Sequence, residues 1–368
     1  MNILHLTSHL NVGGITSYVL SLSEALVKRG HGVVIASGGG QMEARASAIG
    51  LTHWRMPLHT KVELSPQVFR ATRQLKARLR QEPVDLIHAH TRVGQVVADR
   101  LSRRLGIPYV TTWHGFYRVN LGRRLWPCTG AVTIAISEPV RQHLLRDFKV
   151  PAQRVRLIPH GIDPAVFEAR VEPTQQQQLR EAVGLPPGGP VIGTVARLVA
   201  SKGVDHLIAS LPAIRASAPD TRLLIVGDGA DRCRLQEAAK AHGVAEAVHF
   251  AGALPETRIA LSLMGVFVFL PAEQEGFGLS LLEAMASGRP IVAVRRGSGA
   301  VWVLEESGVG VLVEPGDVQG LAAAVTNVLQ HGDAACRAAG EARAVVTQRY
   351  SLSRMADQVE DVYRTVTG

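Results

Sequence analysis

Two acidic residues lie eight positions apart around a glycine-rich turn in the second half of the chain. Glu275 precedes a Gly-Phe-Gly turn, and Glu283 follows in a segment of helical periodicity. Carboxylates accept hydrogen bonds from hydroxyl groups such as those of a sugar or a ribose diol, and the free amides of a helix N-terminus bind phosphate. We therefore predict a ligand-binding element over residues 273–290. The alternative is a helix-surface position for Glu283 and a simple loop position for Glu275.

A basic pair upstream of this element suits a diphosphate group. Arg197 follows a predicted strand, and Lys202 comes five residues later. A guanidinium can bind two phosphate oxygens, and an ammonium adds a compact charge. Together they would stabilise the negative charge that develops on a pyrophosphate leaving group. Spacing alone slightly favours the alternative, a solvated loop with two cations.

Glycine-containing turns follow two further predicted strands. Gly13 and Gly14 open a predicted helix, whose N-terminus is a possible anion site. Gly227 and Asp228 begin a turn that would either admit a nucleotide base or serve only as a tight bend. Neither the dinucleotide fingerprint G-x-G-x-x-G nor the P-loop pattern occurs in the sequence, which disfavours a nicotinamide-dependent enzyme and a P-loop NTPase.

Histidines also follow predicted strands. His114 ends one of them, and its position there favours a functional role for a residue type that is more often structural. His88 and His90 have the alternating spacing of a metal site, but no D-x-D, H-E-x-x-H or Cys/His cluster accompanies them. We predict strand-end packing for this pair and no metal. No set of nucleophile, base and orienting residue indicates a hydrolase.

The elements that must position these residues alternate between short apolar runs and helical segments, which predicts parallel sheets with helices on both faces. Helices are predicted at 16–29 and 66–80, and the strands at 3–7, 33–37, 84–88, 109–112, 132–136, 191–196, 223–227, 266–270 and 291–294. The fold class is α/β, with two doubly wound Rossmann-like domains facing each other across a cleft. The predicted parts are 1–170, a linker at 171–190, 191–348 and a C-terminal helix within 349–368.

Charge is divided unevenly along the 368 residues, whose formal net charge is +9. Residues 1–170 hold 23 Lys and Arg against 10 Asp and Glu, a net +13, whereas residues 171–368 hold 17 against 21, a net −4. A basic half suggests a nucleic acid, an anionic membrane surface or a phosphorylated substrate. Three separated cysteines and the absence of a leader-like start or a long apolar run predict a cytoplasmic protein.

In their order along the chain, these residues resemble the family 4 retaining glycosyltransferases of the GT-B fold, over essentially the whole length. The resemblance implies transfer of a sugar from a nucleoside diphosphate sugar, with UDP favoured, to a glycan or glycolipid acceptor, without metal or prosthetic group. It also favours lipopolysaccharide or envelope polysaccharide synthesis. Its markers are Gly13-Gly14, His114-Gly115, the segment 158–163, Arg197 with Lys202, Gly227-Asp228-Gly229, and Glu275 with Glu283.

The resemblance also implies residue roles. Arg197 and Lys202 would hold the donor pyrophosphate in catalysis, and Glu283 would hold the ribose hydroxyls. Glu275 would contact the donor sugar, with His114 beside it at the reaction centre. The remaining donor-binding positions are Gly13, Gly14, Gly227, Asp228, Phe277, Gly278, Leu279 and Ser280.

The implied mechanism is front-face displacement, in which the departing phosphate oxygen takes the acceptor proton. The sequence departs from the family after the strand at 291–294. Where relatives often read Gly-Gly-x-x-Glu, this chain has Ser298-Gly299-Ala300-Val301-Trp302, so that an indole replaces a carboxylate.

A basic helical face gives the charge of the first half a candidate role. We predict that it binds an anionic membrane inner face or the acceptor, with a merely solvated face as the alternative. Its residues are Arg70, Arg73, Lys76 and Arg80, followed by Arg123 and Arg124 after His114.

Three other functions remain as hypotheses. A sugar-nucleotide epimerase of GT-B architecture would bind a similar donor and need no acceptor. A phosphorylase would need a buried lysine for a pyridoxal cofactor, whereas Lys202 has the setting of a phosphate ligand. A basic nucleic-acid-binding protein is disfavoured because the first half lacks interleaved aromatic residues and recognition motifs.

Overall fold

The chain folds into two compact units, each built on one parallel sheet. The first unit comprises Met1–Gly161 together with Leu352–Gly368, and the second comprises Ile162–Ser351. The predicted fold class, α/β with doubly wound sheets, is confirmed. The computed structural model describes residues 1–60, 62–271, 273–296 and 299–368.

The first unit carries a seven-stranded sheet. Up to residue 161 its strands and helices are β1 (Asn2–Leu6), α1 (Gly14–Lys28), β2 (Gly32–Ser37), α2 (Glu43–Ala48), β3 (Thr52–Arg55), α3 (Pro66–Leu79), β4 (Leu86–Ala89), α4 (Arg92–Leu105), β5 (Tyr109–Trp113), α5 (Leu121–Leu125), β6 (Val132–Ala135), α6 (Glu138–Arg146) and β7 (Val155–Leu157). The strand order is β3-β2-β1-β4-β5-β6-β7. Sheet growth reverses at β1, between β2 and β4, which is where ligands of such sheets bind.

The second unit repeats this plan with six strands. Its elements are α7 (Pro164–Glu168), α8 (Pro173–Ala182), β8 (Val191–Val195), α9 (Val204–Ser217), β9 (Arg222–Val226), α10 (Arg232–Ala241), β10 (Val248–Gly252), α11 (Arg258–Leu263), β11 (Val266–Phe269), α12 (Leu279–Ala286), β12 (Ile291–Val294), α13 (Gly299–Ser307), β13 (Val311–Val313), α14 (Val318–Gln330) and α15 (Gly332–Arg349). The order β10-β9-β8-β11-β12-β13 places the reversal at β8.

The last helix, α16 (Leu352–Thr367), belongs to the first unit and packs on α1. Its apolar residues Met355, Val359 and Tyr363 join the same buried cluster as Ile3 and Leu22. Because the apolar residues of α16 recur with helical spacing, one face is buried and the other carries charge.

The unit boundary lies nine residues before the predicted one. The short helix α7 packs against α12, so the chain enters the second unit at Ile162 and not after residue 170. The segment 171–190, predicted as a linker, contains the ten-residue helix α8. A capping box between Glu172 and Gln175 starts α8, and its contact with α11 stabilises it.

Four strands of the structure are not among the predicted ones: β3, β7, β10 and β13. Each of them forms an edge of its sheet. All of the predicted strands are present, and their ends lie within two residues of the predicted ends. They are the interior strands of both sheets.

Candidate active site

The turns after β8 and β9 lie side by side at the carboxyl end of the second sheet. The amide of Leu198 donates to the carbonyl of Asp228 at 3.0 Å, and the amide of Asp231 donates back to the Leu198 carbonyl at 2.9 Å. Ala196 donates to the β9 carbonyl of Val226. Arg197 therefore projects an exposed side chain from backbone that is held on both sides.

Two glycines permit this close approach of the turns. A Cβ on Gly227, whose φ is +129°, would lie 1.9 Å from the carbonyl oxygen of Ala196. A Cβ on Gly229 would lie 2.2 Å from the carbonyl oxygen of Leu198. Asp228, between the glycines, is exposed, and its carboxylate accepts a hydrogen bond from the Gly229 amide at 2.8 Å. Close packing of the two turns therefore requires glycine at both positions, independently of any ligand.

Lys202 and Glu275 form an ion pair. A 3-10 turn at Ala200–Lys202 presents the ammonium, and the loop after β11 presents the carboxylate. The two side chains are only 13% and 22% exposed, so water screens the pair weakly. Within the described parts of the chain, the Arg197 side chain has no hydrogen-bond or ion-pair partner, so its guanidinium is available to a ligand.

The Gly-Phe-Gly turn between Glu275 and α12 is anchored on both sides. Phe277 is buried and its ring meets that of Tyr350 edge to face, with 5.9 Å between centroids. The carbonyl of Glu275 accepts a hydrogen bond from the amide of Gly299 at 3.1 Å, at the start of α13. The backbone of Glu275 is therefore held in place before any ligand binds.

Helix α12 begins without a side-chain cap. Gly278 precedes it with a φ of +98°, and a Cβ there would lie 2.8 Å from the ring of Phe269. The first amides of α12, on Leu279 and Ser280, have no hydrogen-bond acceptor among the residues that the structure describes. Such free amides and the helix dipole attract an anion.

Glu283 lies inside α12 and accepts a hydrogen bond from the hydroxyl of Thr257 at 2.8 Å. Burial raises the pKa of its carboxyl to about 7, although the Thr257 hydroxyl lowers it in part. In the described part of the chain, Thr257 is the one hydrogen-bond donor to this carboxyl. A carboxyl that titrates near neutrality with one such donor retains acceptor capacity for further hydroxyl groups.

In the first unit, a separate group of histidines lies at the carboxyl ends of β1, β4 and β5. His88 is completely buried, and its two ring nitrogens are bonded to Tyr363 Oη at 2.6 Å and Thr112 Oγ1 at 2.7 Å. The helix α16 therefore supplies a hydroxyl to the centre of the first sheet.

A second set of contacts leads to His114. His5 Nδ1 lies 2.8 Å from His90 Nε2, and His90 Nδ1 lies 3.3 Å from His114 Nε2. Burial lowers the pKa of His5 to about 3 and those of His88, His90 and His114 well below 6.5. These imidazoles are therefore uncharged at neutral pH.

The nitrogens of His5, His88 and His90 come within 4.8 Å of one another, which is a spacing that could hold a metal ion. Both nitrogens of His88 already have hydroxyl partners, and His5 and His90 bond each other. The arrangement agrees with the predicted strand-end polar packing of His88 and His90.

Gly13 and Gly14 lie in the same unit as His114. Helix α1 begins at Gly14, with Gly13 before it. Burial lowers the pKa of His160 to about 4, and the nearby backbone of Gly161 and Gly14 raises it in part. The ring of Tyr18 meets those of His114 and His160 edge to face, with 4.7 and 4.6 Å between centroids. The glycine turn and His114 thus share neighbours in the first unit.

Comparison with known proteins decides the family. Residues 12–166 match the family described as Glycosyltransferase Family 4, and residues 175–345 match Glycosyl transferases group 1. The chain belongs to the family 4 glycosyltransferases. It is 26% identical over 370 residues to an uncharacterized glycosyltransferase of Methanocaldococcus jannaschii, covering 96% of this chain and 94% of that one.

Solved structures show that this glycosyltransferase has the GT-B fold. Anabaena HepE in complex with UDP and glucose is similar with a TM-score of 0.84 at 21% identity, covering 99% of this chain and 100% of HepE. WaaG, a glycosyltransferase involved in lipopolysaccharide biosynthesis, has a TM-score of 0.75 at 16% identity, with both chains covered completely.

The basic face predicted for the glycosyltransferase divides into two parts. Most of its cations carry exposed side chains, with Lys76 half-buried: Arg70, Arg73, Lys76, Arg80 and Arg124. Arg123 differs, because its Nε lies 2.6 Å from Glu63, which also pairs with Arg92. Arg123 therefore fixes α5 beside the segment around Glu63.

Some contacts of the candidate site residues are not apparent from the sequence. Thr257 has no motif that links it to Glu283, and the partnership of His88 with Tyr363 spans 275 positions. The usable signal is the presence of histidines on or shortly after three predicted strands: His5, His88 with His90, and His114. Trp302, which replaces the family's carboxylate, lies partly buried in α13, whereas Ser298 lies outside the described residues.

Proposed function

We propose that this glycosyltransferase is a retaining, metal-independent enzyme that transfers a sugar from a nucleoside diphosphate sugar, with UDP favoured, to a glycan or glycolipid. One observation carries the proposal: Lys202 forms an ion pair with Glu275 at the carboxyl edge of the second sheet, and the loop that carries Glu275 leads into the uncapped start of α12. Exposed Arg197 lies five positions before Lys202 in the chain. A cation, a carboxylate and free amides are the groups that a sugar diphosphate needs.

Each group has a proposed part in the transfer. Arg197 and Lys202 bind the diphosphate oxygens and stabilise their charge as the bond to the anomeric carbon breaks. The acceptor oxygen forms its bond on the same face, and its proton passes to the departing phosphate oxygen. Glu283 accepts hydrogen bonds from the ribose hydroxyls, Glu275 contacts the sugar, and His114 lies beside it.

Nucleotide binding tests the proposal directly. A ligand that binds only the folded state raises the melting temperature, so we expect UDP and UDP-sugars to stabilise the protein more than the guanosine and adenosine diphosphates do. Glu283→Ala should reduce the shift, whereas Glu237→Ala, at an exposed ion pair on α10, should leave it unchanged. An unchanged shift in Glu283→Ala would remove Glu283 from the nucleotide site. Turnover of the sugar nucleotide without any acceptor would favour the epimerase hypothesis instead.

The pH dependence of nucleotide binding follows from the raised pKa of Glu283. If the ribose hydroxyls require the carboxylate, a free-state pKa of about 7 means that binding at lower pH must first remove a proton. Affinity for uridine, whose own groups do not titrate in this range, should be about tenfold weaker at pH 6 than at pH 8. Glu283→Gln should lose this dependence, and Thr257→Val should move the midpoint upward. Calorimetric titration at several pH values measures all three, and a flat wild-type profile contradicts the prediction.

The acceptor side is proposed to lie at an anionic membrane surface, on the inner face of the cytoplasmic membrane, with an envelope glycolipid such as a lipopolysaccharide core as the acceptor. None of the helices in the described residues has the length and apolarity to cross a membrane. Apolar side chains are exposed next to the cations, and Glu63 joins their two segments through Arg123. These side chains are Val62, Leu64 and Phe69 near α3, and Leu121 and Leu125 on α5.

Vesicle binding tests the membrane proposal. The protein should bind vesicles that contain anionic lipid and not zwitterionic vesicles, and added salt should weaken the binding. Replacing Arg70 and Arg73 together by Gln should cost about 2 kcal/mol, which is roughly a 30-fold loss. Leu121→Ser with Leu125→Ser should weaken binding as well. Val166→Ser, at a half-exposed valine of the second unit, is the control. Equal binding to both vesicle types would disprove the proposal.

A further inference from the structure

A chain of three imidazoles leads from the core of the first unit to His114. His5 and His90 are completely buried, and His114 is partly exposed. His5 Nδ1 faces His90 Nε2 at 2.8 Å, and His90 Nδ1 faces His114 Nε2 at 3.3 Å. The two contacts use different ring nitrogens of His90. Whether His90 donates or accepts in one contact therefore determines its role in the other.

The rings of this chain are neutral, because burial penalises the imidazolium form of all three. A neutral imidazole has one N–H and one lone pair. Two such rings in hydrogen-bond contact share a single proton, and the middle ring must donate with one nitrogen and accept with the other. Only two arrangements of the chain satisfy both contacts, and they run in opposite directions.

The buried end of the chain distinguishes the two directions. His5 Nε2 is buried without a hydrogen-bond partner in the described structure. If protons point from His114 towards His5, this nitrogen becomes a buried N–H with no acceptor. If they point from His5 towards His114, it is only an unfilled lone pair. Orphaned buried N–H groups are the rarer and costlier defect, so the second direction is favoured.

We propose that His5 and His90 hold His114 as its Nδ1–H tautomer. In this form His114 donates a hydrogen bond from Nδ1 to the sugar that is transferred, and it does not act as a base. The contact with the sugar rests on the proposed function, but the tautomer does not. His114 Nε2 is then occupied by the N–H of His90, and Nδ1 carries a proton with no acceptor in the described residues. Front-face displacement needs no enzymatic base, which agrees with this role. His90 is accordingly a positioning residue.

The tautomer can be read without any substrate. Long-range proton–nitrogen spectra of the ¹⁵N-labelled protein distinguish a protonated from an unprotonated ring nitrogen, and the spectrum of His114→Asn identifies the His114 signals by their loss. At neutral pH we expect a protonated Nδ1 and an unprotonated Nε2. The Nε2–H form, or an imidazolium, would overturn the proposal.

Three variants test the part played by His90. His90→Leu removes the donor to His114 Nε2, and the population should move towards the Nε2–H form that free histidine prefers. His90→Asn, whose amide can donate from a similar position, should keep the Nδ1–H form. Tyr363→Phe is the control, because it removes the hydroxyl partner of His88. The ring centroid of His88 lies 4.1 Å from that of His90, but His88 is not one of the three linked imidazoles, so the tautomer of His114 should not change.

An unchanged tautomer in a folded His90→Leu would show that His90 does not set it. If that variant does not fold, the wild-type and His90→Asn spectra still decide.

Kinetics separates the tautomer from the proposed role at the sugar. In place of His114, the amide nitrogen of asparagine can occupy the position of Nδ1, and the amide nitrogen of glutamine can occupy that of Nε2. His114→Asn should therefore retain at least tenfold more kcat than His114→Gln. Equal activity of both variants and the wild type would overturn the contact of His114 with the sugar, while the spectra would still stand for the tautomer.

Discussion

Replacing Lys202 by alanine is expected to lower kcat by about 10²- to 10³-fold, the usual loss when one preorganised group that stabilises transition-state charge is removed. The ammonium is held against Glu275 at a site that water screens weakly. When a diphosphate binds, Lys202 must exchange this carboxylate for phosphate oxygens. UDP affinity should fall as well, by about tenfold or more, because hydrogen bonds to charged groups contribute about 1.5–3 kcal/mol.

The ion pair gives this prediction a sign test. Glu275→Gln frees Lys202 from its carboxylate, so UDP should bind several-fold more tightly while sugar transfer falls. Lys240→Ala, which removes an exposed lysine paired with Glu237, is the control and should leave both quantities unchanged. UDP titration and initial-rate kinetics measure the effects. If Glu275→Gln and Lys202→Ala both weakened UDP binding, the competition between carboxylate and phosphate would be contradicted.

Replacing Gly227 by alanine should destabilise the second unit by about 3–5 kcal/mol, the sum of backbone strain and steric overlap. The new Cβ would lie 1.9 Å from the Ala196 carbonyl oxygen, and the φ of +129° is one that alanine avoids. Relief requires the turns after β8 and β9 to separate. The same movement displaces Arg197, so UDP binding should weaken together with stability.

Gly243→Ala is the matched control for this variant. Gly243 also has a positive φ, +67°, and lies in the second unit, but a Cβ there would meet nothing within 4 Å. Its cost should be about 1–2 kcal/mol, from the backbone conformation alone. Urea unfolding compares the two, with midpoints read separately for each unit because two-domain proteins need not unfold in one step. Equal losses would show that the contact with Ala196 is not the cause.

The interior strands could be predicted from the sequence because both of their faces are buried. The strand β11 reads Val-Phe-Val-Phe and β12 reads Ile-Val-Ala-Val, so their apolar runs are continuous. The four edge strands lack this signal. β3 reads Thr-His-Trp-Arg, in which Trp54 alone is fully buried, and β13 has only three residues. Pairing with a single neighbour makes such segments strands, and pairing is not a local property.

The sequence predicts the residues of the candidate site by type, but it does not predict their partners. The sequence predicts separate roles for Lys202 and Glu275, and nothing in their spacing of 73 positions indicates that they contact each other. The same holds for Thr257 and Glu283. The glycines at 227 and 229 are read as a possible nucleotide turn, whereas their requirement comes from two backbone carbonyls in the neighbouring turn. These relations depend on tertiary packing, which brings distant segments together.

The return of α16 to the first unit has a consequence for biosynthesis. The core around Ile3 and Tyr18 is incomplete without Met355, Val359 and Tyr363, which are synthesised after the whole second unit. Domains usually fold in the order of their synthesis. Here the second unit, whose residues are contiguous, can fold before α16 has been synthesised and has completed the core of the first unit. A chain whose synthesis stops before α16 would therefore expose the first unit to aggregation and proteolysis, although the missing helix follows the second unit in the sequence.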